Sequence, residues 1–341
     1  MTVKVAIIGV GAMGRNHARV YSEMADVEIV GVADINMLAA AEASRRYGGR
    51  AYADYPRLLD EQKPEAVSIV VPTAEHHDVA LQAIQRRIHV LIEKPLAFTL
   101  QEGREIIEAA ESQGVQLMVG HIERFNPAVI ALREHLSSGE LGRAFQIDAH
   151  RQGPFPARVR DVGVVVDLAV HDLDIMRYVT GSEIVRVYAE TQRRIHTERE
   201  DLLSGMVRFA DGTVGTLTTN CLTPTKIREV YVTGERGMFR VDYLTQDLYF
   251  YENAIAPPPD QVGGNGGGNW TTIQVLRGVS EGRMIRYAIA KKEPLRSELE
   301  SFVAAAQGKA PVPVSGLDGL KAIELAQALV TSGLDHRVVI I

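Results

Sequence analysis

"VKVAIIGVGAMG", residues 3–14, decides the fold. Val3 to Val10 form a short β-branched apolar run that carries a glycine near its end, as a buried parallel strand does. Gly9-x-Gly11-x-x-Gly14 follows and opens a helical stretch over about 12–24. Three glycines alone are a weak signal, because glycines also mark ordinary turns; a strand before them and a helix after them give the motif its meaning. Gly9 permits the tight turn, Gly11 lets a pyrophosphate approach the backbone, and Gly14 allows close helix–strand packing. The amides of the helix start, those of Ala12 and Met13 among them, then face phosphate oxygens where the helix dipole favours negative charge. Asp34 stands 20 residues after Gly14 at the end of a second strand, where a carboxylate accepts hydrogen bonds from the adenosine ribose. Ile35, Asn36 and Met37 come next, with no base to meet a 2′-phosphate, so the expected cofactor is NAD rather than NADP.

Working outward, strands and helices alternate through the first third of the chain. "VEIVGVAD" (27–34), "AVSIVV" (66–71), "HVLIE" (89–93) and "VQLMVG" (115–120) read as strands. Helical segments intervene near 37–47, 76–87 and 99–113, with Thr73 and Thr99 as N-caps of the last two. This alternation predicts a parallel sheet covered on both faces, an N-terminal Rossmann domain over 1–120. From 121 to 341 the texture is that of an α+β domain with a large, mostly antiparallel open sheet. A helix near 127–137 and one ended by Gly181 precede the strand-like runs "IVRVYAE", "LLSGMVRFA", "TVGTLTTNC", "IREVYVTG", "MFRVDY" and "DLYFYE". "ADGT" (210–213) has the Asp-Gly signature of a tight hairpin. "APPPDQVGGNGGGNW" (256–270) reads as a long loop, and two helices, 294–307 and 316–333, close the chain.

Composition narrows the functions available. The 341 residues are 46% hydrophobic and 23% charged, with a formal net charge of −6, so no basic excess invites nucleic acid or an anionic membrane. Arg45-Arg46, Arg86-Arg87 and Arg193-Arg194 read as solvated faces. Cys221 is the single cysteine, which excludes an intrachain disulfide and makes a reducing compartment the default. No apolar run reaches the ~20 residues of a membrane helix, and the start has no basic segment leading into a long apolar one. The expectation is a cytoplasmic protein without membrane or nucleic-acid partners.

"DLAVHDLD" (167–174) spaces Asp167, His171 and Asp174 by four and three, which puts all three on one face of a helix. A histidine between two carboxylates is a proton-transfer device, a metal site or a satisfied polar cluster. His76-His77-Asp78 and His121-x-Glu123 are further candidates for metal, but no zinc-type spacing accompanies them, and none is expected.

"VLIEKPLAFTL" (90–100) contains Glu93-Lys94-Pro95. With the glycine fingerprint, "GHIERFNP" (120–127) and Asp167-x-x-x-His171, the chain closely resembles the Gfo/Idh/MocA oxidoreductase family over essentially its whole length. The resemblance implies that Lys94 lies at the reacting carbon and that Asp167 and His171 join it from the second domain. Oxidising a secondary alcohol releases a hydride and a proton. Histidine, with an ordinary pKa near 6.5, suits the proton, while lysine starts near 10.4 and suits a hydrogen-bond donor and relay. Asp167 would fix the tautomer of His171. The same resemblance puts Thr73, His76, Glu93 and Lys94 beside the cofactor with Gly9, Gly11, Ala12, Met13, Gly14 and Asp34. It also implies a Lys94–Pro95 cis bond. The sequence departs from the family pattern at Gly163-Val164-Val165, where many members have three glycines, and at Ala169, where many have glycine; both changes narrow the space beside the substrate.

"GHIERFNPAV" and "HRQGPFPARVRDVGVVVDLAVHDLD" look most like the branch of the family acting on nucleotide-linked amino sugars, which implies oxidation at C3 of a UDP-N-acetylhexosamine. Arg151, Arg158 and Arg160 would clamp the diphosphate, or else form a charged loop at an oligomer contact. Arg124 and Asn126 would bridge cofactor and substrate. The alternatives are an inositol or free-sugar dehydrogenase, and a non-catalytic nucleotide sensor on the same fold. Too few helices follow residue 121 to cover both faces of the sheet, so a homodimer or homotetramer through that sheet is expected, with Val207, Phe209, Leu217 and Thr219 on the uncovered face.

Overall fold

The structure, a computed structural model, describes residues 2–155, 162–195, 198–255 and 279–341. It divides into two compact units that take segments of the chain in turn: Met1–Phe125, Val165–Asp174 and Lys292–Thr331 in the first, Asn126–Val164, Ile175–Lys291 and Ser332–Ile341 in the second. A single boundary after residue 120 is therefore too simple. The segment with Asp167 and His171 groups with the first unit, not the second, as do most residues of the closing helices.

The first unit is a six-stranded, all-parallel sheet. Its strands are β1 (Val3–Ile8), β2 (Val27–Ala33), β3 (Arg50–Tyr52), β4 (Ala66–Ile69), β5 (His89–Glu93) and β6 (Leu117–Gly120), in the order β3-β2-β1-β4-β5-β6. The order reverses direction between β1 and β4, and the carboxyl ends of those strands define the crevice where open α/β sheets bind ligands. Val5, Ala6 and Ile7 have no exposed surface, as strands covered on both faces require. Helices α1 (Ala12–Ser22), α2 (Met37–Tyr47), α3 (Tyr55–Gln62), α4 (His76–Gln85) and α5 (Leu100–Gln113) form the crossovers. Asn36 caps α2 by accepting from the amides of Leu38 and Ala39, and Thr99 and Glu102 make a complete capping box on α5. Thr73 is not the cap of α4; it starts a 3₁₀ turn, Thr73–Glu75, that precedes the helix. The closing helix α8 (Pro294–Ala306) sends Leu295, Leu299, Phe302 and Val303 into the same core as the strands.

The second unit is a nine-stranded sheet with the order β14-β13-β12-β11-β7-β10-β9-β8-β15. The strands are β7 (Ala144–Gln152), β8 (Ile184–Gln192), β9 (Leu202–Phe209), β10 (Val214–Asn220), β11 (Ile227–Gly234), β12 (Gly237–Asp242), β13 (Asp247–Ile255), β14 (Val279–Arg286) and β15 (Val339–Ile340). Among the described residues of this sheet, only β7 and β10 pair in parallel. Gly212, at φ +95°, makes the β9–β10 turn at the Asp-Gly step. α6 (Pro127–Ser137) packs on β12 and β13. Val207, Phe209, Leu217 and Thr219 are buried, so they face the covered side. The opposite face shows Tyr188, Met206 and Met284, the last two more than half exposed. The sequence had the alternation right and the side reversed, because period-two patterning marks two faces without saying which one the helices cover. Among the described residues no helix is long and apolar enough to cross a membrane. Arg158, Arg160 and the stretch 256–270 lie outside the described residues.

Candidate active site

The glycine loop between β1 and α1 has the geometry its spacing implies. Gly9 is at φ +91°, and a Cβ there would lie 2.3 Å from the Val70 carbonyl oxygen. A Cβ on Gly14 would lie 1.9 Å from the Gly9 carbonyl oxygen, so only glycine allows α1 to start so close to β1. At Gly11 a Cβ would meet nothing within 4 Å, which leaves open space above the start of α1. The first amides of that helix have no intrahelical acceptor, and Gly11 caps them with no side chain. An open, donor-rich cradle of this kind fits a dinucleotide pyrophosphate. Across it, the two carboxylate oxygens of Asp34 accept from the amides of Val10, at 2.9 Å, and Asn36, at 2.8 Å. That fixes the carboxylate and leaves further lone pairs for ribose hydroxyls. Ile35, directly after it, is 97% exposed, and no cation adjoins the carboxylate in sequence.

At the carboxyl end of β5 the chain runs Glu93-Lys94-Pro95, with the Lys94–Pro95 peptide cis. Lys94 Nζ donates to the Asp167 backbone carbonyl at 2.6 Å and to Asp167 Oδ1 at 2.9 Å. Both side chains are mostly buried, with 17% and 23% exposed. Asp167 lies in a π-helical turn, Val165–Ala169, that leads into α7 (Val170–Thr180). Such wide turns are rare and recur at functional sites. They also upset the α-helical spacing assumed for "DLAVHDLD". Asp167 holds Lys94. His171 is half-buried one turn on. Asp174 is buried and accepts both guanidinium arms of Arg124, from Nε at 2.8 Å and from Nη2 at 2.6 Å.

Several residues expected to touch ligands are consumed by the fold. Arg124 Nη2 also donates to Asp318 at 2.9 Å. Burial opposes its charge, but Asp174 and Asp318 outweigh burial and raise its pKa further, so Arg124 is a buried bracket between two carboxylates. Asn126 caps α6 through Oδ1 to the Ala128 amide and donates from Nδ2 to the Tyr243 carbonyl at 3.0 Å, which leaves it little to offer a substrate. Arg151 belongs to β7 rather than to a loop, and it is buried with its guanidinium 5.5 Å from the Tyr243 ring centroid. His76 is buried, its Nδ1 on the Pro95 carbonyl at 2.8 Å and its Nε2 on the Val71 carbonyl at 3.0 Å. Burial pushes its pKa down, partly opposed by those carbonyls. It braces the Lys94 loop.

Glu93 likewise turns inward: Oε1 meets His17 Nε2 at 2.9 Å and Oε2 accepts the Lys94 amide at 3.2 Å. Burial works to raise its pKa, and His17 and Lys94 overcome that to hold it low. Three residues at this site escaped the sequence reading: His17, Asp318 and Glu298. Each carried a faint signal. His17 lies three residues after Gly14, Asp318 follows Ser315 with capping-box spacing, and Glu298 interrupts the apolar stripe Leu295, Leu299, Phe302. Among the described residues, the group of His and carboxylate side chains whose ligand atoms lie in mutual reach is His17, Glu93 and Glu298, not the histidine pairs noted in the sequence.

Comparison with known proteins fits this geometry. The family description "Oxidoreductase family, NAD-binding Rossmann fold" matches residues 3–121, and "GFO/IDH/MocA C-terminal domain" matches residues 129–240. The UDP-N-acetylglucosamine 3-dehydrogenase of Acidithiobacillus ferrooxidans is 31% identical over 324 residues, 95% of each chain. A solved structure of that enzyme superposes with a TM-score of 0.83 at 30% identity, covering 97% of both chains. Inositol 2-dehydrogenase 2 of Saccharopolyspora erythraea is 34% identical over 206 residues, 59% of this chain and 60% of that one. The chain belongs to the Gfo/Idh/MocA oxidoreductase family. It is an NAD-binding dehydrogenase.

Proposed function

We propose that this enzyme oxidises the C3 hydroxyl of a UDP-N-acetylhexosamine, with NAD preferred over NADP. The observation that carries the chemistry is the pinned lysine: Lys94 Nζ sits 2.9 Å from Asp167 Oδ1 at the end of β5, in the unit that holds the dinucleotide cradle. NAD, when bound, supplies the hydride acceptor. Lys94 donates a hydrogen bond to the hydroxyl oxygen of the substrate, and His171 takes the proton as the C–H bond breaks. Asp167, bonded to Lys94 through a carboxylate and a carbonyl oxygen, fixes the direction of the ammonium. A positioned donor and base of this kind contribute by orientation and by proton transfer matched to neutral pH. The cofactor preference rests on Asp34, whose carboxylate would repel a 2′-phosphate.

The substrate rests on the relative that matches 95% of the chain. Arg158 and Arg160 are the diphosphate ligands in this reading. A second reading, inositol or free-sugar oxidation, has its own support in the inositol dehydrogenase that is 34% identical over a shorter stretch. Steady-state NADH formation with a panel of UDP-N-acetylglucosamine, free N-acetylglucosamine and myo-inositol separates the two. Turnover of the nucleotide sugar alone is expected; turnover of inositol alone would replace the first reading with the second. The enzyme also works as a homodimer or homotetramer through the exposed face of the nine-stranded sheet, around Tyr188 and Met206. A monomer in sedimentation at micromolar concentration would contradict that.

A further inference from the structure

Next to Lys94 in the chain, at Glu93, three elements of the first unit bring together side chains that the reaction does not use. His17 comes from α1, Glu93 from the end of β5 and Glu298 from α8. Their ligand atoms all lie within 4.8 Å of one another. His17 and Glu298 have no exposed surface, and both carboxylate oxygens of Glu298, like Nδ1 of His17, have no hydrogen-bond partner. A buried polar atom without a partner is rare and costly, and a buried isolated carboxylate is the costliest kind. Such a group keeps its proton instead. Burial, with the charge of Glu93 added, pushes the Glu298 carboxyl well above its ordinary range, while Glu93 is held below its own. Tyr21, one turn after His17 on α1, is a further titratable group near Glu298, and its hydroxyl is engaged with Ser68 at 2.9 Å.

We propose that Glu298 is a neutral carboxylic acid that shares its proton with Glu93 through one buried water, and so acts as the positioning residue for Lys94. A separation of up to 4.8 Å is what a single bridging water spans. The cluster is then an uncharged acid beside the hydrogen-bonded Glu93 and His17. Glu93 transmits the effect, because its Oε2 accepts the Lys94 amide and its side chain lies against Gly120, where a Cβ would sit 3.2 Å from Glu93 Cδ. Fixing Glu93 on two sides fixes the backbone from which Lys94 reaches Asp167.

This inference rests on Lys94 being the lysine at the reacting carbon, and its test keeps the two apart. Infrared difference spectra of the full-length protein at pH 7, wild type against E298Q, read the acid directly. The C=O stretch of a protonated carboxylic acid is expected in the wild type and lost in the variant, whatever Lys94 does. In kinetics, E298L is expected to lose about 10- to 100-fold in kcat, the scale of a small misplacement, with the Kd for NAD unchanged. E298Q, which keeps a donor, is expected to restore most of that. Absence of the acid band overturns the proposal, as does stoichiometric divalent metal in the purified protein, since this donor set would also hold a cation. Wild-type kcat in E298L, or equal impairment of E298L and E298Q, overturns the positioning role.

Discussion

The two sheets use their polar residues in opposite ways. In the parallel sheet, polar side chains gather at carboxyl ends and in the loops beyond them: Asp34 after β2, Thr73 after β4, and Glu93 and Lys94 at β5. In the nine-stranded sheet they alternate along the strands, and those that turn inward, such as Arg151 of β7, are taken up by packing. A parallel strand covered on both faces has no room for polar groups except at its ends, so its chemistry collects along one edge. An antiparallel strand offers a polar position at every second residue, and most of them are structural or solvated. Polar residues therefore call for different readings in the two regions, although Arg124, beyond β6, shows that a residue past the parallel sheet's carboxyl edge can also be structural.

The largest effect is expected at Lys94. Lys94→Ala should lose about 10²–10⁴ in kcat, the usual scale for a positioned acid–base group, with NAD affinity close to wild type. A variant that keeps most of its activity would return the Lys94–Asp167 pair to a structural role. Arg124→Ala should behave in the contrary way. Breaking a buried ion pair by removing one partner costs about 3–5 kcal/mol, because Asp174 and Asp318 are left with uncompensated charge. The urea midpoint should fall accordingly. Near-normal stability with a raised KM would instead make Arg124 the substrate ligand suggested by its place in "GHIERFNP". The smallest effect concerns Asp34. Asp34→Ala should narrow the preference for NAD over NADP as measured by calorimetry, and an unchanged preference would move the discrimination elsewhere.

How much of this was legible depends on range. The strand–helix alternation was readable because each buried parallel strand is a continuous apolar run. β3 and α3 were not readable, since "RAY" (50–52) is too short to carry a pattern. β7, at the centre of the second sheet, was missed because "AFQIDAHRQ" mixes charged residues into its alternation. The glycine loop and Asp34 could be found from local spacing, and Lys94 from the family resemblance that Glu93-Lys94-Pro95 helps to carry. The bracket around Arg124 could not, because its partners lie 50 and 194 residues away in the chain. A polar residue beside a motif looks like a ligand until the distant carboxylates that neutralise it are known. Glu298 shows the reverse: one glutamate in the apolar stripe of α8 was visible in the sequence, but its meaning needed His17 and Glu93 beside it.

The most direct test of the central claim follows the hydride itself. UDP-N-acetylglucosamine carrying deuterium at C3 is incubated with the enzyme and NAD, and the reduced nicotinamide is examined by mass spectrometry. The deuterium is expected in the reduced cofactor, with a 3-keto nucleotide sugar formed in equal amount. Reduced cofactor without the label, or no reduction of NAD while myo-inositol is readily oxidised, would contradict the claim.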